Sequence, residues 1–193
     1  MSTYRNICVF CGASQPLERH YGEAMEAFAD ELVKRGIGLV FGGGSVGLMG
    51  QIADRMLEGG GHVLGVIPHQ LQRRELAHQS VSELVLVETM HERKALMYER
   101  SDAFLIFPGG FGTLDEAMEI LTWKQLGIHD KPIVFANLNG YFDGLETLFQ
   151  RALKDGLLKQ EYLPLYHFAP SVEGIFSYLD SYKPRYEGIR SWA

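Results

Sequence analysis

Three short polar segments carry the side chains with the clearest capacity for binding or catalysis. They are Gln72–Leu76, Met90–Lys94 and Thr113–Glu116. In a chain with a formal net charge of −6, the first two segments concentrate cations that could hold an anionic ligand. These cations are Arg73, Arg74, Arg93 and Lys94. The sequence therefore predicts a local basic pocket in an otherwise acidic protein.

Each of these segments also has a purely structural interpretation. Thr113 and Glu116 have the spacing of a capping box, which stabilises a helix by about 1 kcal/mol and could alone explain both residues. Arg93 and Lys94 could form a solvated helix face, and Gln72–Leu76 could be a plain surface loop. Only the joint placement of the three segments keeps the functional interpretation open.

Two glycine-rich segments, Gly42–Gly50 and Pro108–Thr113, each lie between a predicted strand and a predicted helix. Glycine lets the backbone approach an anion, and a helix N-terminus offers free N–H groups and a positive dipole end. One such loop could be a tight turn without a ligand, but two loops at one sheet edge favour a phosphate-bearing ligand. The candidate binding residues of the first loop are Gly43, Gly44, Ser45 and Gly47.

Common motifs do not account for the first glycine loop. Its glycines have dinucleotide-fingerprint spacing, but the next strand ends at Val66–His69 without the acidic residue that would bind a ribose hydroxyl. Neither loop is followed by the Gly-Lys-Ser/Thr of a Walker A motif. Ser45 lies in a G-x-S-x-G pattern, but His167 is the one late histidine that could complete a hydrolase triad. The histidines lack metal-ligand spacing, so we predict no catalytic metal.

Short apolar runs alternate with longer segments of helical periodicity. The apolar runs predict strands at 7–10, 39–41, 63–67, 84–87, 103–107 and 133–136. The helical periodicity predicts helices at 21–35, 48–57, 90–100, 113–126, 142–154 and 171–182. This alternation is typical of an α/β fold, a Rossmann-like doubly wound parallel sheet with helices on both faces. We predict one domain over 1–182 and a C-terminal tail at 183–193, with ligands bound beyond the carboxyl ends of the strands.

Composition and charge restrict the class of protein. Hydrophobic residues form 46% of the chain, which is enough for a substantial core. The acidic balance argues against a binder of nucleic-acid polymers. No apolar run approaches the ~20 residues of a membrane span, and the first residues lack a signal-peptide core, so we expect a cytoplasmic protein without a membrane partner. Cys8 and Cys11 are expected to be buried structural thiols on opposite faces of a strand.

Several long motifs, in the right order, resemble those of the Lonely Guy (LOG) phosphoribohydrolases. The signature pair of that family, P-G-G-x-G-T-x-x-E and M-x-x-R-K, is present as Pro108–Glu116 and Met90–Lys94. Gly42–Gly50, Arg74–Leu76 and Thr122–Pro132 are also similar to the family. The resemblance covers nearly the whole chain.

This resemblance implies a hydrolase that splits a purine nucleoside 5′-monophosphate, with a cytokinin-type base or adenine, into the free base and ribose 5-phosphate. Arg93 and Glu116 match the catalytic pair of the family. Such a reaction requires no metal or redox cofactor. The positions that match nucleotide-binding residues are Glu75, Lys94, Gly110, Phe111, Gly112, Thr113, Leu114, Asp115 and Thr122.

The sequence departs mildly from the family and leaves alternatives. Phe111 stands where many members have tyrosine, and Asp115 where many have glutamate. A non-catalytic carrier is the alternative function, since molybdenum-cofactor carriers resemble this fold but have no need for an Arg93–Glu116 pair. Lysine decarboxylase, a label often attached to the family, would require a Schiff-base lysine for which the sequence offers no support. Excess apolar surface on the helix at 113–126, together with the resemblance, predicts a homodimer.

Overall fold

The computed structural model describes residues 4–15, 18–72 and 77–184. Within these ranges, seven strands form one sheet in which each neighbouring pair is parallel. The strands are β1 (Asn6–Phe10), β2 (Gly38–Phe41), β3 (Val63–Pro68), β4 (Glu83–Val87), β5 (Ala103–Ile106), β6 (Ile133–Ala136) and β7 (His167–Ala169). Their order across the sheet is β4-β3-β2-β1-β5-β6-β7.

Helices cover both faces of this sheet, and two hydrophobic cores result. The helices are α1 (Arg19–Arg35), α2 (Gly47–Glu58), α3 (Met90–Glu99), α4 (Phe111–Gln125), α5 (Asp143–Lys154) and α6 (Val172–Ser181). Successive side chains of a strand point to opposite faces, so Ile7 and Val9 join the core under α1, α2 and α6. Cys8 and Phe10 join the other core, under α3 and α4. None of the described helices is long and apolar enough to span a membrane.

The strand order creates a crevice at one place on the sheet edge. The chain proceeds outward from β1 to β4 and then returns to place β5 on the other side of β1. The loops that follow β1 and β5 therefore diverge at the carboxyl ends of these two strands, which is where ligands bind in doubly wound sheets. The fold class predicted from the sequence is confirmed, and this reversal positions the candidate site.

The six predicted strands and six predicted helices are all present, with ends that differ by at most two residues. The edge strand β7 was not predicted, because three residues, His167–Ala169, are too short to produce a recognisable pattern. The predicted tail falls mainly outside the described residues.

The capping-box interpretation of Thr113 and Glu116 is wrong. Helix α4 begins at Phe111 with Gly110 as its N-cap, so Thr113 already lies inside the first turn. A true side-chain cap occurs at α3, where the Thr89 hydroxyl accepts a hydrogen bond from the Glu92 N–H at 3.1 Å. The capping explanation for Glu116 is therefore removed, and its position needs another reason.

Candidate active site

A cleft of about 480 Å³ opens at the point where the strand order reverses. Its floor and walls come from the loop after β1, the loop after β5 and the first turns of α4. Helices α1, α2 and α3 and the turn before α5 contribute further side chains. The predicted site residues that line it are Arg93, Gly110, Phe111, Gly112, Thr113, Asp115 and Glu116.

Arg93 reaches the cleft from α3 and is only 5% exposed. One terminal nitrogen, Nη2, donates a hydrogen bond to the Gly42 carbonyl at 3.2 Å. The other, Nη1, lies 3.8 Å from the sulfur of Met90. A side chain at position 42 would overlap the guanidinium, so glycine is required there for Arg93 to enter the site. The first glycine loop thus contributes to the site by making room for a cation.

Glu116 lies beside Arg93 in the lining of the cleft. Its Oε1 lies 3.9 Å from Arg93 Nη2, and its side chain is 12% exposed. The thiols of Cys8 and Cys11 lie close to it; burial, and secondarily the Glu116 charge, raises the pKa of both thiols. The cysteines are accordingly neutral, as expected of structural thiols.

The second glycine loop leaves the N-terminus of α4 open to the cleft. Added side chains at Gly110 and Gly112 would meet nothing within 4 Å, whereas one at Gly109 would overlap Thr113 and Gly12. The first N–H groups of a helix have no partner within the helix, and they attract anions. Here they border open space large enough for a ligand.

The first glycine loop packs differently from the second. None of its four candidate residues, Gly43, Gly44, Ser45 and Gly47, lines the cleft. Gly43 packs on β3 and β4, and the His78 N–H donates to its carbonyl at 2.9 Å. Gly47 has a φ of 64° and no room for a Cβ against Gly12 and Ala13. These residues therefore pack against β3, β4 and the loop after β1, and they do not line the cleft.

Three of the remaining predicted residues lie outside the cleft lining. Lys94 joins α3 to α4 through ion pairs with Asp115 at 3.2 Å and Glu119 at 3.1 Å. Burial would lower the pKa of Lys94, but these two carboxylates outweigh it and raise the pKa. Thr122 is exposed and donates to the Met118 carbonyl, and Leu114 packs against the core. Glu75, with Arg73 and Arg74, lies outside the described residues.

Sequence reasoning missed several residues that line the cleft. The loop Cys11–Ser14 was considered only for its thiol, although it follows the strand next to β5. Tyr21 and Tyr141 come from α1 and from the turn before α5. The first of these follows the first predicted strand, so the rule that ligands bind beyond the carboxyl ends of the strands could have identified it. Nothing local indicated the two tyrosines.

Other chemistries find less support in this geometry. Every lysine of the chain lies among the described residues, and none lines the cleft; Lys124 is buried elsewhere, donating to the Lys131 carbonyl and the Tyr182 hydroxyl. In the described part of the chain, no group of three or more His, Cys, Asp and Glu residues is placed to hold a metal ion. Ser45 follows β2, and His167 lies on β7. These strands are four positions apart in the sheet, a separation of about 19 Å, which is too far for the two side chains to form a catalytic triad.

Comparison with known proteins identifies relatives along nearly the whole chain. A family model described as "Possible lysine decarboxylase" matches residues 49–179. The chain is 44% identical over 190 residues to cytokinin riboside 5′-monophosphate phosphoribohydrolase LOG1 of Arabidopsis thaliana, covering 98% of this chain and 89% of that protein. It is 45% identical over 183 residues to a protein of Oryza sativa subsp. japonica named as a probable phosphoribohydrolase of the same kind, LOGL9, covering 95% and 81%.

Among solved structures, a molybdenum cofactor carrier protein from Chlamydomonas reinhardtii has a similar fold. The TM-score is 0.68, with 19% identity over 91% of this chain and 95% of the carrier. At that identity the likeness concerns the fold alone.

Proposed function

Because the chain belongs to the Lonely Guy family of phosphoribohydrolases, we propose that it hydrolyses the N-glycosidic bond of a purine nucleoside 5′-monophosphate. The products are the free base and ribose 5-phosphate. The relatives are named for cytokinin riboside 5′-monophosphates, so N6-substituted adenine is the first base to test, with adenine beside it. The observation that carries the proposal is the buried Arg93–Glu116 pair, which shares one cleft with the open N-terminus of α4.

The 5′-phosphate is assigned to the N-terminus of α4. Gly110 and Gly112 present no side chain there, so an anion can approach the free N–H groups of the first turn. This contact anchors the substrate at the end of the ribose remote from the base. Anchoring fixes the orientation of the glycosidic bond and lowers the entropic part of the barrier.

Glu116 is assigned to the reacting carbon. It lies about 7.5 Å further along the axis of α4 than Phe111, but helical side chains point back towards the N-terminus. A ribose held by its phosphate therefore lies beside the Glu116 carboxylate. Cleavage leaves positive charge on the sugar, which a carboxylate stabilises, and the same group can orient the attacking water and accept its proton.

Arg93 is assigned to substrate anchoring and to negative charge on the departing base. A guanidinium stays protonated throughout, so it cannot act as a base. Its burial makes its interaction with a developing negative charge stronger than it would be in water. The two residues thus have separate roles. The Glu116 carboxylate stabilises positive charge on the sugar, and the Arg93 guanidinium stabilises negative charge on the leaving base.

The carrier alternative rests on the fold and not on the site. A protein that only binds a cofactor has no use for a buried carboxylate beside the ribose position, and the solved carrier shares only 19% identity with this chain.

Two further properties belong to the proposal, the oligomeric state and the location. We propose a homodimer, since the large apolar side chains of Phe111, Ile128 and Leu148 are exposed. We also propose a cytoplasmic location.

Nucleotide turnover tests the proposed function directly. Purified protein should release base and ribose 5-phosphate from AMP or isopentenyladenosine monophosphate, and the activity should persist in a chelator. The matching nucleosides, which lack the phosphate, should react poorly because they lose the anchoring contact. Equal rates on adenosine and AMP would contradict the phosphate assignment. Binding of nucleotide with no turnover would favour the carrier function.

A further inference from the structure

The turn between β6 and α5 places Tyr141 in the lining of the cleft. Two consecutive residues in it, Asn139 and Gly140, have positive φ values of 50° and 72°. A side chain at Gly140 would overlap the Asp143 carboxylate, so glycine is needed there on two counts. The Asn137 side chain closes the turn. Its Nδ2 donates to Asp143 Oδ1 at 2.8 Å, and its Oδ1 accepts from the Phe142 N–H at 2.7 Å.

The hydroxyl of Tyr141 makes one specific contact with the second glycine loop. It donates a hydrogen bond to the Gly109 carbonyl at 2.7 Å. The ring is held separately, by an edge-to-face contact with Tyr21 at a centroid distance of 5.8 Å. Removing the hydroxyl therefore removes the bond to Gly109 and leaves the ring packing in place.

The carbonyl groups just before α4 point to partners outside the helix. Pro108 O accepts from the Gly12 N–H at 3.0 Å, and Gly109 O accepts from Tyr141. The peptide between Gly109 and Gly110 is flanked by two glycines, which makes its rotation inexpensive. Rotation would replace an N–H donor by a carbonyl oxygen at the anion position, and that oxygen would repel a phosphate. The Tyr141 hydrogen bond opposes this rotation.

We propose that Tyr141 is a positioning residue for the anion site at the N-terminus of α4. Its hydroxyl fixes the direction of the Gly109 carbonyl, so that the following N–H groups remain directed at the anion. The identity of the anion as a nucleotide 5′-phosphate rests on the proposed function. Tyr141 acts through Gly109, and its effect is confined to the phosphate end of the substrate.

The variant Tyr141→Phe tests this role. Loss of one hydrogen bond should weaken binding of ribose 5-phosphate and of inorganic phosphate by roughly five- to tenfold, measured by titration calorimetry. The KM for the nucleotide should rise by the same factor with kcat within about twofold, because the phosphate contact is present in the ground state and the transition state alike. Binding of adenine, which has no phosphate, should stay at the wild-type value.

Tyr4→Phe is the matched control. Its hydroxyl also donates to a backbone carbonyl, that of Leu179, at 2.8 Å. Tyr4 lies just before β1, at the amino ends of the strands, whereas the cleft lies at their carboxyl ends. A general loss of stability would affect both variants, whereas loss of anion positioning should affect only Tyr141→Phe.

The outcomes separate this proposal from the proposed function. Wild-type affinity of Tyr141→Phe for ribose 5-phosphate would overturn the positioning role, even in an active hydrolase. Equal loss of adenine and phosphate affinity would overturn it too, since it would indicate collapse of the whole cleft. Phosphate binding that depends on Tyr141 in a protein without turnover would support the positioning role and reject the hydrolase. Absence of any phosphate binding by the wild type would overturn both.

Discussion

The Nη2 atom of Arg93 lies 3.9 Å from the Oε1 atom of Glu116, although the two residues come from different helices on the same face of the sheet. The sheet order brings α3 and α4 together at the reversal point, and Gly42 makes room for the guanidinium. The separation is longer than a hydrogen bond but within the range of an ion pair, so the two opposite charges lie side by side at the cleft.

The first prediction concerns the charge of Glu116. Glu116→Gln keeps the shape of the side chain but removes the carboxylate, so kcat should fall by roughly 10²- to 10⁴-fold. The fold should be retained, because the amide keeps the size and shape of the carboxylate side chain. Steady-state kinetics and chemical unfolding measure the two effects. Near-normal turnover in the folded variant would remove Glu116 from the mechanism.

The second prediction concerns the shape of the Arg93 cation. Arg93→Lys keeps the charge but replaces a planar fork by a compact ammonium on a differently shaped side chain. We expect most of the activity to be lost, by at least about tenfold in kcat/KM. An active lysine variant would show that charge alone is sufficient at this position.

The third prediction uses Gly42 to displace Arg93 without changing it. In Gly42→Ala the new methyl group would overlap the guanidinium, which must shift from its position opposite Glu116. We expect kcat to fall by about tenfold or more, because small misplacements of catalytic groups are costly. Gly144→Ala is the control, since its new methyl group meets nothing within 4 Å and lies in helix α5. Equal activity of the two variants would contradict the placement of Arg93.

The fourth prediction is a dependence of stability on pH. Burial lowers the pKa of His129 from 6.5 to about 4, and its ring is held neutral between the Ile120 carbonyl and the Lys131 N–H. Below pH 6.5 the unfolded chain takes up a proton at this site that the folded chain does not. Stability should therefore fall by up to roughly 3 kcal/mol as the pH decreases from about 6.5 to 4, and this contribution should level off below pH 4.

Urea unfolding of His129→Gln across this range measures the contribution of His129. The variant should lose much of the pH dependence between pH 6.5 and 5, where few carboxylates titrate. His62→Gln, at an exposed position, serves as the control. An unchanged slope in His129→Gln would refute the prediction.

The fifth prediction is the oligomeric state. Exposed apolar side chains such as Phe111, 93% exposed, and Ile128 favour burial against a second copy of the chain. Light scattering at micromolar concentration should report about twice the chain mass of 21.7 kDa. A mass near that of a single chain would reject the homodimer.

Much of the fold and part of the site were determined by local sequence patterns. Apolar runs such as Ile133–Ala136 predicted the strands because a strand covered on both faces excludes polar residues. The Pro108–Thr113 loop predicted an anion site because glycines before a helix let a ligand approach the free N–H groups of its first turn. Arg93 and Glu116 were singled out as a catalytic pair by their match to the Lonely Guy motifs, before any distance was known, and that role stays a prediction.

The tertiary structure alone decided how these parts meet. Gly42 and Arg93 are 51 positions apart, and Gly109 and Tyr141 are 32 apart, so no local pattern could predict either contact. Lys94 was expected to bind substrate, but in the fold it lies between Asp115 and Glu119, whose positions depend on how α4 packs beside α3. Periodicity specifies which face of an element is buried. The order of strands in the sheet, which depends on the packing of the whole chain, determines which side chains become neighbours.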